Sequence, residues 1–136
     1  MRVVLDSNVL FSALIKDSLT RRLILQYDGL FLFPSFIFEE MERHKGLLLR
    51  KSGMKKVEFD RLLEFLLRKV VIVPSEVLYP YRKKALDLVK DIDSDDVLFV
   101  ACALAYLDSV IWSDDKKLKQ QSRVKVLNTS EIMNIL

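Results

Sequence analysis

Short apolar runs alternate with amphipathic stretches along the whole chain. Runs without polar alternation are typical of strands buried on both faces, whereas apolar residues repeated every three or four positions predict helices. Strands that alternate with helices indicate a parallel sheet covered on both faces. The apolar runs predict five strands, at residues 3–5, 30–33, 70–73, 109–112 and 124–127.

The stretches between these runs predict the helices. The first covers 10–28 with an interruption at Asp17 and Ser18, and the second covers 36–44 with Ser35 as its N-cap. A basic tract with two glycines, 43–56, follows the second helix. Further helices are predicted at 57–69, 81–90, 96–107 and 130–136. The expected fold is a three-layer α/β/α sandwich with a central parallel sheet of about five strands, in one domain over 1–136.

Composition narrows the class of protein. A chain of 136 residues with 51% hydrophobic and 30% charged residues has the composition of one globular domain. The net charge of +3 is compatible with a polyanionic partner. Cys102 is the single cysteine, which fits a reducing compartment, and no apolar run approaches the roughly 20 residues of a membrane span. We therefore expect a cytoplasmic protein without a membrane segment.

Acidic residues follow two of the predicted strands. Asp6 ends the first strand and precedes Ser7 and Asn8, while Asp114 and Asp115 come after the fourth strand and Ser113. Parallel sheets place ligand sites at the carboxyl ends of their strands, and neighbouring strands lie about 4.8 Å apart. Two such carboxylates can therefore reach one ion, although Asp6 alone is equally well explained as a helix cap.

Two further acids are candidates for the same site. Asp93 and Asp96 are three residues apart at the start of a predicted helix, whose N-terminus favours their ionised form. In the second helix Glu40 falls at the margin of the core side, whereas Glu39 falls on the far side, where it can pair with Arg43. A carboxylate directed toward packed structure needs a partner such as a cation. The alternative for Glu40 is a half-exposed surface acid.

These residues together resemble the PIN-domain nuclease family. The resemblance rests on Asp6-Ser7-Asn8 after the first strand, Glu40 on an early helix, Asp93 to Asp96 before an alanine-rich helix, and Ser113-Asp114-Asp115 near the end. It covers essentially the whole chain. The resemblance implies a parallel sheet between helices and cleavage of RNA that depends on Mg²⁺ or Mn²⁺. Many small members are VapC-type toxins, which implies a possible antitoxin partner.

Carried over by position, the resemblance implies a role for each acidic residue. Asp6, Glu40, Asp96 and Asp115 match the family's catalytic and metal-binding quartet. Asp93, Ser113, Asn8 and the adjacent Ser7 match supporting positions. Asp114 departs from the pattern, because the family usually has glycine there. Asp114 is either an additional outer ligand or a residue that points to solvent.

The residue types support this chemistry independently of the family. Clustered carboxylates suit hard cations, which activate water and neutralise phosphoryl charge. His44 is the only histidine, so a ribonuclease mechanism with two histidines is excluded. One alternative is a haloacid dehalogenase-like phosphatase with Asp6 as nucleophile, although Asn8 occupies the position of its second aspartate. Another alternative is a catalytically silent RNA-binding module.

Basic and apolar residues suggest the partners. Lys116, Lys117, Arg43 and Lys45 are candidates for phosphate contacts, and a solvated surface is the alternative for each. The apolar excess predicts self-association as a two-fold dimer, because exposed apolar patches usually mark interfaces. The residues that carry this excess are Leu47, Leu48, Leu49, Phe59, Leu62, Leu63, Phe65 and Leu66.

Overall fold

A five-stranded parallel sheet forms the centre of the protein in the computed structural model, which describes residues 1–92 and 96–136. The strand order is β3-β2-β1-β4-β5, so the first strand lies in the middle. This arrangement confirms the expected fold class. The strands are β1 (Arg2–Leu5), β2 (Phe31–Pro34), β3 (Val70–Val73), β4 (Ser109–Trp112) and β5 (Val126–Leu127).

Helices connect the strands and cover the sheet. Short 3₁₀ helices also occur at Tyr79–Tyr81 and Lys116–Gln120. The α-helices are α1 (Ser7–Ile15), α2 (Leu19–Gln26), α3 (Ile37–Ser52), α4 (Lys56–Leu67), α5 (Ser75–Leu78), α6 (Arg82–Val89), α7 (Val97–Ala105) and α8 (Thr129–Met133).

The connectivity explains why there are three layers. From β1 to β3 the chain moves outward in one direction, and from β3 it returns across the sheet to β4. Right-handed crossovers place the helices of these two movements on opposite faces of a sheet. In agreement, α1 to α4 contact one another, and α5, α6 and α7 form a second group. The reversal of direction creates a crevice between the carboxyl ends of β1 and β4.

The third helix differs most from the sequence prediction. It does not end at His44 but continues through Gly46 to Ser52, so most of the basic tract is helical. Leu48 continues the buried side begun by Ile37 and Met41, and this burial stabilises the extra turns. The helix ends at Gly53, whose φ of 68° is the left-handed conformation that glycine adopts without strain.

The predicted cap of this helix is also wrong. Phe36 occupies the N-cap position of α3, and the hydroxyl of Ser35 instead lies 3.4 Å from that of Ser75. The sequence reading also missed α5 and the 3₁₀ helices at Tyr79–Tyr81 and Lys116–Gln120, which are too short to show an apolar repeat.

The buried side chains form one cluster around the sheet, led by Trp112, Phe31 and Phe33. β1 is buried from Val3 to Leu5 because it is paired with strands on both sides and covered by helices on both faces. In the described part of the chain, every helix is too short or too polar to span a membrane.

Candidate active site

Asp6 lies where the first strand passes into the first helix. Its main-chain N–H donates to the carbonyl of Trp112, which fixes the end of β1 beside the end of β4. Its carboxylate caps α1 by accepting a hydrogen bond from the main-chain N–H of Asn8 at 3.3 Å. The other carboxylate oxygen accepts a 2.6 Å hydrogen bond from the Ser113 hydroxyl. Asp6 is therefore both a helix cap and a link between the two central strands.

Asp115 is positioned from the neighbouring strand by the same serine. Its main-chain N–H donates to the Ser113 hydroxyl oxygen at 3.1 Å. Its carboxylate accepts from the main-chain N–H of Lys117 at 3.0 Å and so caps the following 3₁₀ helix. Ser113 is 1% exposed, so this buried hydroxyl holds Asp6 and Asp115 on one side of the sheet edge.

Glu40 enters from α3. One of its oxygens accepts a hydrogen bond from the Ser7 hydroxyl at 3.4 Å, and the other lies 3.7 Å from Nε2 of His44 and 4.0 Å from Arg43. The side chain of Glu40 is 20% exposed, whereas Glu39 lies on the exposed side of the helix. The helical-position argument for Glu40 therefore agrees with the structure.

Asp96 reaches the same region from the opposite helical layer. It is the N-cap residue of α7 and is 7% exposed. Asp93, the predicted supporting acid, lies outside the described residues.

An open cleft of about 520 Å³ unites these side chains. All four acids predicted as the quartet line it, together with Ser7 and Asn8. Its full described lining is Asp6, Ser7, Asn8, Phe11, Ser12, Ile15, Glu40, His44, Leu47, Leu48, Lys51, Asp96, Phe99 and Asp115.

The surroundings of Asp6 disfavour its ionised form. Burial raises the pKa of Asp6 above its ordinary value, because water is largely withdrawn from the carboxylate. The hydrogen bonds from Ser113 and Asn8 lower this pKa, and the nearby negative charges of Asp115 and Asp114 raise it again. The net result is a raised pKa, so the ionised form of Asp6 gains from a positive charge in the cleft.

The donor set suits a hard divalent cation. Carboxylate oxygens are the ligands that Mg²⁺ and Mn²⁺ prefer, and Asp6 is a buried acid whose charge needs compensation. Among the described residues, however, no three Asp, Glu, His or Cys side chains are gathered closely enough to form a ready ion site.

Asp114 has a different position from its neighbour. Its two oxygens accept hydrogen bonds from the main-chain N–H and the hydroxyl of Thr129, both at 2.8 Å. That hydroxyl oxygen also accepts from the indole of Trp112 at 3.0 Å. Asp114 therefore fastens the start of α8 to the end of β4, which neither of its two predicted roles anticipated.

The basic candidates lie around the cleft rather than in it. Arg43, Lys116 and Lys117 are exposed, and Lys45 forms an ion pair with Asp60 of α4 at 3.2 Å. Lys51 lines the cleft, and the sequence reading placed it only within the basic tract.

His44 and Phe11 were missed as cleft residues. His44 was interpreted as the end of a helix, but α3 continues past it and its ring contacts that of Phe11. The spacing from Glu40 to His44 and on to Leu47 and Lys51 is four, three and four residues, which places all of them on one side of a helix. That spacing was the available signal, and the predicted end of the helix at His44 left it unused.

Comparison with known proteins places the chain in a family. A family model described as PIN domain matches residues 4–134, which is nearly the entire sequence. A comparison with curated proteins gave no significant match. The matched region contains all four acids of the cleft and every strand from β2 to β5. From this match, the chain belongs to the PIN-domain family.

Proposed function

We propose that this protein is an endoribonuclease that hydrolyses single-stranded RNA with the help of Mg²⁺ or Mn²⁺. Membership of the PIN-domain family indicates a nuclease, that is, a hydrolase of phosphodiester bonds. The observation that carries the proposal is the arrangement of the cleft. Asp6, Glu40, Asp96 and Asp115 come from four separate segments and line one cleft at the sheet's reversal point.

These four carboxylates would hold the cation. A bound Mg²⁺ or Mn²⁺ supplies Lewis-acid chemistry, since it activates water and neutralises charge on the phosphoryl oxygens. The raised pKa of Asp6 supports this assignment, because a buried carboxylate is stabilised by a cation more than an exposed one is.

The chain's own residues orient the ligands. The Ser113 hydroxyl holds one oxygen of Asp6, and the main-chain N–H of Asn8 holds the other. Ser7 performs the same task for Glu40 by donating to one oxygen. Fixed donors of this kind keep each carboxylate in one orientation, and loss of such outer partners typically weakens a metal site.

Positive charge near the cleft supports a polyanionic substrate. Lys51 lines the cleft, and Arg43 lies on the same helix beside Glu40. Lys116 and Lys117 follow Asp115 directly and are exposed. We propose that these side chains contact phosphates on either side of the cleaved bond. Lys45 would contribute only after release from Asp60.

A biological role as the toxin of a toxin–antitoxin pair, acting in the cytoplasm, is part of the proposal. It rests on the resemblance of this small chain to VapC-type proteins and on its single buried cysteine, Cys102. The partner would be an antitoxin protein. Discovery of a small neighbouring reading frame whose product co-purifies with this chain would support the role, and its absence from the genomic neighbourhood would count against it.

The experiment that tests the proposed activity compares labelled single-stranded RNA and DNA of the same sequence. We expect EDTA-treated protein to be inactive, and Mg²⁺ or Mn²⁺ to restore cleavage of the RNA alone. Hydrolysis by activated water leaves 5′-phosphate and 3′-hydroxyl ends. Cleavage at the same rate in EDTA would refute the dependence on a cation, and equal cleavage of DNA would refute RNA specificity.

Active-site variants distinguish this activity from a contaminant. Asp6→Asn and Asp96→Asn should abolish cleavage, while Glu39→Gln, a change on the exposed side of α3, should leave it intact. A wild-type protein that binds RNA but never cuts it, with either cation, would instead identify a silent binding module. The match over 4–134 leaves the haloacid dehalogenase-like alternative without support.

A further inference from the structure

The cleft extends beyond the acids as a groove between α1 and α3. On α3 the lining residues run from Glu40 to Lys51, which at 1.5 Å per helical residue is a length of about 16 Å. On α1 they run from Ser7 to Ile15. One end of this groove is therefore acidic and the other end carries a lysine. A single cation would occupy only the acidic end of this length.

An aromatic pair forms the middle of the groove. The rings of Phe11 and His44 contact each other there, with centroids 5.6 Å apart and planes tilted by 58° to each other. Tilted rings do not cover each other's faces as parallel rings do, so aromatic surface is left toward the cleft that both residues line. The side chain of His44 is 45% exposed, which makes its ring accessible to a ligand.

We propose that Phe11 and His44 form a stacking subsite for an unpaired nucleobase next to the cleaved phosphate. The inference rests on the proposed nuclease function and adds how that site selects its substrate. Along a polynucleotide, successive negatively charged phosphates are joined by sugars, each of which carries one aromatic base. The groove offers the complementary order, with the acids and their cation first, then the rings, then Lys51. A base in a duplex is already stacked and paired, so only an unpaired base can enter.

The subsite makes two different demands on the protein. Stacking requires an aromatic ring at positions 11 and 44, and a phenyl ring meets this requirement as well as an imidazole ring does. The contact between Nε2 of His44 and Glu40, at 3.7 Å, requires the imidazole nitrogen and not the ring as such. Substitutions at position 44 can therefore separate a base-binding role from an indirect effect on Glu40.

The test measures binding by fluorescence anisotropy, with Asp6→Asn as the parent protein so that RNA survives the measurement in Mg²⁺ buffer. The probes are a labelled oligouridylate and the same backbone with its bases removed. We expect Phe11→Leu and His44→Gln each to weaken oligouridylate binding by about tenfold. His44→Phe should bind as the parent does, and the base-free probe should bind weakly to every protein.

Phe38→Leu is the matched control. Phe38 is an exposed aromatic residue on the same helix, outside the described lining of the cleft, and its substitution should leave binding unchanged. Melting curves of every variant establish that each one is folded.

Three results would overturn the stacking subsite. These are parental affinity in both Phe11→Leu and His44→Gln, weakening in His44→Phe equal to that in His44→Gln, or equal binding of the base-free probe. If the wild-type protein still cuts RNA, the proposed function survives these results. A parent that binds neither probe, together with a wild-type protein that cuts no RNA, would overturn both proposals.

Discussion

The hydroxyl of Ser113 donates a 2.6 Å hydrogen bond to the carboxylate of Asp6, although 107 residues separate them in sequence. The bond joins the carboxyl ends of β1 and β4, where the sheet reverses its direction of winding. Because Ser113 also accepts from the main chain of Asp115, one buried side chain sets the relative position of two acids. The cleft is thus built into the topology of the sheet.

Asp6 should lower the stability of the cation-free protein at neutral pH. Its pKa in the folded state is raised above the ordinary 3.8, so the folded state binds more protons than the unfolded state between these two values. The free energy of unfolding therefore falls as pH rises through that window. Asp6→Asn removes the titrating group, but its amide oxygen can accept only one of the two hydrogen bonds that the carboxylate accepts, so the comparison is of the pH dependence and not of the melting temperature at one pH.

The measurement is thermal unfolding of wild type and variant from pH 3 to pH 8. Asp6→Asn should remove the decline in stability above the ordinary pKa of an aspartate while leaving the behaviour at lower pH unchanged. A variant whose stability declines across the same pH window as that of the wild type would show that another group is responsible.

Glu40 and Glu39 should differ sharply in function. Glu40→Gln removes a charge from the cleft, and we expect RNA cleavage to fall by at least about tenfold, the cost of disturbing even an outer partner of a metal site. Glu39→Gln changes the same type of side chain at an exposed position of the same helix, so its cleavage rate should equal that of the wild type. Equal losses in both variants would mean that α3 carries no specific ligand.

Asp114 and Asp115 should separate stability from activity. Asp114→Asn disturbs two hydrogen bonds to Thr129 and should cost about 1–2 kcal/mol of unfolding free energy with little effect on cleavage. Asp115→Asn should do the opposite, because an amide oxygen can still cap Lys117 but cannot supply the charge. Denaturant unfolding and initial cleavage rates measure the two effects, and loss of activity in Asp114→Asn alone would reverse the assignment.

Self-association stays a prediction with a narrower basis. Phe59 and Leu66 are fully buried within one chain and Leu48 nearly so, which removes part of the apolar excess that suggested a dimer. Leu47 and Phe65 remain 42% and 48% exposed. Light scattering at micromolar concentration should give the mass of two chains, and Phe65→Glu should reduce it to one. A wild-type mass of one chain would leave each cleft to act alone.

The strands were predictable because short apolar runs rich in β-branched residues, bounded by turn residues, favour strands. Residues 70–73 and 109–112 match β3 and β4 to the residue, since apolar runs bounded by turns have few alternatives. That the four acids line one cleft could also be expected, because strand ends and helix starts in a parallel sheet converge on one edge, while their catalytic role stays a prediction. The strand positions depend on the local sequence pattern, and the meeting of the acids depends on the order of strands and helices. Both can be derived from the sequence.

The features that were not predicted from the sequence depend on contacts between residues that are distant in the chain. The second predicted helix was expected to end at His44, but it continues through Gly46 to Ser52 with Leu48 buried. That error separated His44 and Lys51 from the cleft. Asp114 could not be assigned either, because its partner Thr129 lies 15 residues away on an element of five residues. The contact between Asp114 and Thr129 has no periodic signature.

Mg²⁺ or Mn²⁺ is proposed to bind in one cleft to four carboxylates, those of Asp6, Glu40, Asp96 and Asp115. Calorimetric titration of EDTA-stripped protein with Mn²⁺ tests it most directly. We expect saturable Mn²⁺ binding by the wild type and by Asp114→Asn. Binding should be at least about tenfold weaker in three variants, Asp6→Asn, Glu40→Gln and Asp96→Asn. Undiminished Mn²⁺ affinity in all three of these variants would contradict it.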